Sequence, residues 1–290
     1  MKKRLLILFL CMLLSGCGVS AEPSDIAATT LPVYEFTSRL CEGTGLTVTR
    51  LVTENVSCLH DYSLNVRQVR SAEAAELIVI NGAGLEDFMA DLLEGRNVID
   101  ASSGIEIMEC SDHHDHDHDH EGHHHEVDSH IWLSAENAKS IAETICAGLS
   151  VHYPQFADTF QANLSTLHDD FDALQAYGKA SLSTLSCRDI ITFHDGFGYL
   201  AESYGLHILE AVEEESGTEA SASELKHMIS IVQEHRLPAV FVETNGSDSA
   251  ARIIGAETGA AVHILDMAMS GESWFEAMYH NIDTLKEALE

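Results

Sequence analysis

Of the 18 histidines in this 290-residue chain, eight crowd into one short stretch. Between Asp112 and Glu126, His113, His114, His116, His118, His120, His123, His124 and His125 are interleaved with acidic residues, and no apolar side chain is present. Imidazole and carboxylate at such spacing offer many weak, exchangeable positions for Zn²⁺, Cu²⁺ or Ni²⁺. A segment with nothing to bury is expected to be a disordered surface loop. It fixes no coordination geometry, so a selective site has to be built from ligands that the fold holds in place.

Four residues outside that stretch have the right chemistry and context. His60 lies in Leu59-His60-Asp61-Tyr62-Ser63, between an expected strand and a helix. His130 lies in Asp128-Ser129-His130-Ile131-Trp132-Leu133, before a capped helix. His194 follows the apolar run Ile190 to Phe193, and Asp266 follows Ala261 to Leu265. All four fall at strand ends or in loops leading to helices, the edge where open parallel α/β sheets bind ligands. Three imidazoles and a carboxylate suit Zn²⁺ in tetrahedral or expanded coordination. His168, His207, His227, His235, His263 and His280 lack such partners in sequence and read as structural or surface residues.

The elements that must position these ligands alternate between strand and helix patterns. Strands are expected at 26–30, 46–52, 77–80 and 98–100, with helices at 33–41, 66–75 and 86–93 between or after them. The rhythm repeats with strands at 189–193, 239–243 and 261–265 and helices at 198–204, 223–235, 250–258 and 274–289, Ser223 being the expected cap of the second. Between the halves, 134–149 reads as a capped helix, and 155–185 has helical periodicity interrupted only by Gly178. This predicts an α/β protein of two similar lobes, each a mainly parallel sheet flanked by helices, joined by one long helix. The expected organisation is an N-terminal lobe over 26–150 carrying the His-rich loop 112–126, a connecting helix over 151–185, and a C-terminal lobe over 186–290.

The N-terminus reads as an export signal. Met1-Lys2-Lys3-Arg4 is cationic, and the apolar run Leu5 to Leu14 is too short to remain as a membrane span. Leu14-Ser15-Gly16-Cys17 has the pattern of a lipobox, which predicts cleavage after residue 16, lipidation of Cys17 and a tether over 17–25. With 15 basic against 47 acidic residues the chain repels nucleic acid and attracts cations. Spacing leaves open a Cys41–Cys58 bridge and a Cys146–Cys187 bridge, both compatible with an exported protein.

With these motifs in this order, the chain resembles the cluster A-I metal-binding lipoproteins, the zinc and manganese receptors of bacterial ABC transporters. The resemblance runs through Leu59-His60-Asp61-Tyr62, Asn81-Gly82-Ala83-Gly84-Leu85-Glu86, Asp128-Ser129-His130-Ile131-Trp132-Leu133, Phe193-His194-Asp195-Gly196-Phe197-Gly198-Tyr199 and Phe241-Val242-Glu243. It implies metal ligands at His60, His130, His194 and Asp266, Zn²⁺ as the transported ligand, an ABC permease as partner, a monomeric receptor and no enzymatic activity. The acidic His-rich insert is typical of the zinc branch, and manganese-preferring relatives tend to carry a carboxylate where His194 stands. Two positions depart from the pattern. Leu59 replaces a usual proline, and the loop Met267 to Gly271 lacks one, so either Asp266 or water completes the site. The alternatives are a manganese receptor of the same family, a surface zinc-buffering adhesin, and a zinc hydrolase with Glu243 or Asp195 as base, for which no His-Glu-x-x-His helix exists.

Overall fold

Ile26, Ala27 and Ala28 have no solvent exposure, because the strand they form, β1, lies inside a parallel sheet. The computed structural model describes residues 24–56, 59, 62–109, 127–211 and 220–290. β1 (Ile26–Ala28) pairs in parallel with β2 (Val48–Arg50) and β3 (Leu77–Ile80), and β3 pairs with β4 (Val98–Asp100), giving the order β2-β1-β3-β4. Around this sheet lie α1 (Leu31–Leu40), α2 (Val66–Ala74), α3 (Ala90–Leu93) and α4 (Ala135–His152). Helix α2 starts where its sequence says it should: Asn65 and Gln68 form a reciprocal capping box. Ser134 caps α4 by accepting from the Asn137 amide.

Helix α5 (Ala157–Ser181) runs for 25 residues, about 38 Å at the α-helical rise, after a 3-10 turn at Pro154–Phe156. Gly178 does not break it. A Cβ there would lie 2.3 Å from the Tyr204 ring, so the glycine lets α5 meet the next helix closely. The second sheet contains β5 (Asp189–Thr192), β6 (His207–Ala211), β7 (Ala239–Glu243) and β8 (Ala261–Leu265), all parallel in the order β6-β5-β7-β8. Its helices are α6 (Gly198–Tyr204), α7 (Ala222–His235), α8 (Ser249–Thr258) and α9 (Trp274–Leu289). Both sheets therefore share one strand order, with the strand that comes first in sequence second in place. The expected architecture holds: two parallel sheets flanked by helices, with one long helix between them in sequence.

The halves are joined by more than that helix. Phe36 of α1, Phe171 of α5 and Trp274 of α9 pack edge to face with centroids 5.1–5.7 Å apart. Glu35 of α1 accepts from the Trp274 amide at 2.5 Å and the Ser273 hydroxyl at 3.2 Å, so a residue of the first half caps the last helix. Arg39 forms an ion pair with Asp170 of α5. Among the described residues no helix is long and apolar enough to cross a membrane.

Four local expectations change. The helix expected over 86–93 is a 3-10 turn at Asp87–Met89 followed by the single turn of α3, because Glu86 leaves the helical path to bury its carboxylate. Ser221 rather than Ser223 caps α7, completing a capping box with Glu224. Strand β6 adds an edge to the second sheet that the pattern of strands and helices above does not include. Cys41, Cys146 and Cys187 are free thiols, Cys41 and Cys146 being buried in the core, so Cys146 and Cys187 are not bridged. Burial pushes the Cys41 thiol up to about 12, as expected of an inert core thiol.

Candidate metal centre

His130 ends the loop before a 3-10 turn at Ile131–Leu133, and its ring is almost wholly buried. Asp128 Oδ1 accepts from the His130 amide at 2.9 Å and lies 2.8 Å from His130 Nδ1. A carboxylate on the Nδ1 side calls for a proton there and leaves the Nε2 lone pair pointing away. Asp128 is itself braced. Its amide donates to Met108 O at 2.8 Å, and Tyr199 of α6 donates its hydroxyl to the Asp128 carbonyl at 3.1 Å. The first-half ligand loop is thus held partly by a helix of the second half.

His194 stands just beyond β5, at the C-terminal edge of the second sheet. Its Nε2 lies 3.2 Å from Nε2 of His130, with the two rings at 89°. Its Nδ1 faces Glu243 Oε2, 3.5 Å away at the end of β7. Two nitrogen ligands of a tetrahedral zinc, each about 2.0–2.1 Å from the metal, are themselves about 3.3 Å apart. The observed separation matches that edge. With a carboxylate on each Nδ1 side, the two Nε2 atoms face one point, where a metal ion accepting both lone pairs fits.

The surroundings are tight. A Cβ at Gly196 would lie 2.7 Å from His194 Cδ2 and 2.9 Å from Cε1 and Nδ1 of His130, so this glycine lets both rings share one space. Behind His130, Asn81 donates its side-chain amide to the Ser129 carbonyl at 3.2 Å. Asn81 is set by Glu86, whose carboxylate accepts from the amides of Asn81 and Gly82 at 2.8 and 2.9 Å and from the Thr29 hydroxyl at 2.6 Å. Burial, partly opposed by these three donors, pushes the Glu86 carboxyl up to about 7.

The other expected ligands fare differently. Asp266 follows β8, its backbone clamped by Asn281 through two 2.7 Å bonds, and its Oδ1 accepts from the Ala268 amide at 2.7 Å. The adjoining Met267 carbonyl accepts from Trp132 Nε1 at 2.7 Å, which ties the Asp266 loop to the turn after His130. His60, the His-rich stretch including His113 to His125, and Cys17 lie outside the described residues. Next to His60, Leu59 is fully buried and its carbonyl accepts from the Tyr62 amide at 3.0 Å. Glu109 and Val127, which flank residues 110–126, pair in an antiparallel bridge three residues before His130. Among the described residues no group of three His, Cys, Asp or Glu side chains gathers for a metal; the direct contact joins His130 and His194. Two contributors were missed as members of the site. Asp128 carried a signal, since it stands two residues before His130; Glu243, by contrast, reaches His194 only through the pairing of β5 with β7.

Residues 26–288 match the family model described as zinc-uptake complex component A, periplasmic. The chain belongs to this family. Among curated relatives, it is 28% identical over 307 residues to the zinc-binding lipoprotein AdcA of Streptococcus pneumoniae serotype 4, covering 99% of this chain and 61% of that protein. It is 26% identical over 302 residues to the high-affinity zinc uptake system protein ZnuA of Bacillus subtilis strain 168, covering 96% and 94% of the two. The chain thus spans about three fifths of the length of the streptococcal relatives it matches. A crystal structure of ZnuA superposes with a TM-score of 0.79 at 28% identity, over 92% of this chain and all of that one. Zn(II)-bound AdcA from Streptococcus pneumoniae gives 0.77 at 25% identity, over 92% of this chain and 58% of that one. The family is a component of zinc uptake and not an enzyme class.

A wedge at Gly196 tests the packing of the paired imidazoles. Gly196→Ala is expected to weaken Zn²⁺ binding about 10- to 100-fold, the usual cost of disturbing what orients a metal ligand. Competition against a chromophoric chelator reads this directly, and unchanged affinity would show that the rings are not confined as described.

Proposed function

We propose that this chain is an extracytoplasmic receptor, anchored through lipidated Cys17, that captures Zn²⁺ between its two halves and delivers it to an ABC permease. The observation that carries the reading is the pairing of the buried His130 imidazole with the part-buried His194 imidazole, one from each half, whose Nε2 atoms stand 3.2 Å apart at the spacing of two zinc ligands. His60 and either Asp266 or a water molecule complete the coordination. The lobes correspond to residues 26–150 and 186–290, and the receptor works as a monomer. Nitrogen at position 194 favours Zn²⁺ over the harder Mn²⁺. The acidic His-rich stretch raises the local cation concentration beside the site it adjoins. Because protons compete with the metal for imidazole lone pairs, capture weakens as the medium becomes more acidic.

The long helix α5, the α1–α5–α9 aromatic cluster and the Glu35 cap stiffen the connection between halves. Loading and release then involve local loop rearrangement and small shifts in place of a wide hinge closure. Deleting the gene in its host should abolish growth in zinc-depleted medium, with rescue by added zinc. Normal growth of the deletion strain under zinc limitation, in a host with no second zinc importer, would overturn the transport reading.

A further inference from the structure

We propose that Glu243 is a positioning residue for zinc capture: it holds the His194 imidazole in the Nδ1–H form and so aims the Nε2 lone pair at the metal. The inference rests on the zinc-capture reading and adds a role that the ligand set alone does not contain.

Glu243 ends β7, a strand buried along its length, and keeps only 8% exposure itself. A carboxylate taken that far out of water costs several kcal/mol unless it has a partner. The imidazole of His194 faces it, with Nδ1 3.5 Å from Oε2. Nor is the carboxylate free to swing elsewhere. A Cβ at Gly246 would lie 2.6 Å from Glu243 Cγ and 3.2 Å from Oε1, so the turn after β7 closes over the side chain. The Gly246 amide donates to the Glu243 carbonyl at 3.1 Å, and Thr244 donates to Leu265 O at 2.9 Å, fixing the strand end against β8. Glu243 therefore stands between the strand that leads to His194 and the strand that leads to Asp266.

His130 provides the comparison. There the carboxylate is two residues away in sequence and lies 2.8 Å from Nδ1. The second half reaches the same arrangement through neighbouring strands, at a looser 3.5 Å, which is longer than a well-formed hydrogen bond. Metal on Nε2 withdraws electron density from the ring and makes Nδ1–H a stronger donor, so the Glu243 contact should tighten on loading. Carboxylates behind metal-bound histidines act in this way, setting the tautomer and strengthening the ligand.

The test uses the full chain and two readouts. The first is the tautomer of His194 in metal-free His130→Ala protein, where no opposing ring faces Nε2, read from long-range ¹H–¹⁵N spectra at pH 8. Nδ1–H is expected with Glu243 present. Adding Glu243→Ala should shift the ring toward Nε2–H, the form free imidazole side chains prefer in water. The second readout is Zn²⁺ affinity with His130 restored. Glu243→Ala should lose about 10- to 100-fold, and Glu243→Gln, whose Oε1 still accepts from Nδ1–H, should recover the tautomer and most of the affinity. Nε2–H at His194 with Glu243 intact would overturn the proposal. So would a Glu243→Gln variant of native melting temperature that loses as much affinity as Glu243→Ala. Should the unsubstituted chain hold no tight zinc, or His194→Ala bind as well as it does, the capture reading itself fails, a result separable from either tautomer outcome.

Discussion

Replacing His194 with alanine is expected to lower Zn²⁺ affinity about 100- to 1000-fold while leaving the fold intact. Binding free energies of well-formed protein zinc sites are about 10–16 kcal/mol, so one ligand of four accounts for roughly 3–4 kcal/mol. The effect should exceed that of any residue behind the ligands, because His194 supplies one of the two nitrogens that converge at 3.2 Å. The fold should tolerate the change, since the second sheet is held by the pairing of β5 with β6 and β7 and by a core that includes Phe193, Val240 and Val242. Chelator competition with a parallel thermal melt separates the two effects. An unchanged affinity would remove His194 from the site.

The second large effect is on stability and depends on pH. Burial raises the Glu86 carboxyl from 4.5 to about 7, against three hydrogen-bond donors that favour its charged form. Between those values the unfolded chain has released a proton that the folded protein still holds. Stability therefore falls as pH rises through this window, by about 3 kcal/mol for a shift of this size. Glutamine at this position has no proton to lose. The stability deficit of Glu86→Gln relative to the unsubstituted protein should be largest near pH 4.5 and shrink by about 3 kcal/mol by pH 7.5. Urea unfolding of both proteins across that range reads the difference, and parallel curves would show that Glu86 titrates as it does in the unfolded chain. Because Glu86 also sets Asn81, and Asn81 holds the carbonyl before His130, this carboxyl supports the metal centre from behind.

Much of this architecture was legible before any coordinates. Leu77–Ile80, Ala239–Glu243 and Ala261–Leu265 are apolar runs between turn signals, and each forms the strand its pattern implied. Helices α6 and α9 likewise keep the bounds read from their periodicity. Strand β6 escaped because it follows α6 with only Gly205 and Leu206 between them. It also sits at a sheet edge, where partial exposure of His207 to Ala211 blurs the apolar signal. The expected helix start at Glu86 failed for a different reason. Periodicity describes faces of a helix, and it carries no trace of the backward reach of Glu86 to the Asn81 and Gly82 amides or of its bond to the distant Thr29.

The site divides in the same way. His130 and His194 could be singled out because a histidine at the C-terminal edge of a parallel sheet is placed for binding, and the fold brings these two together. The contact of Glu243 with His194 depends on β5 lying beside β7, which spacing along the chain does not encode. The role of Gly196 is similar. Its backbone is unremarkable in sequence, and only the two rings packed against its missing side chain explain the residue.

Calorimetric Zn²⁺ titration of three proteins, the full chain, a variant lacking residues 112–126 and His194→Ala, bears most directly on where the metal is held. The account predicts one tight site that survives deletion of the His-rich stretch and disappears in His194→Ala, leaving only weak, exchangeable binding. Tight binding that vanishes with the stretch and persists without His194 would contradict it, and would make the acidic histidines, not the paired imidazoles of the two halves, the seat of zinc capture.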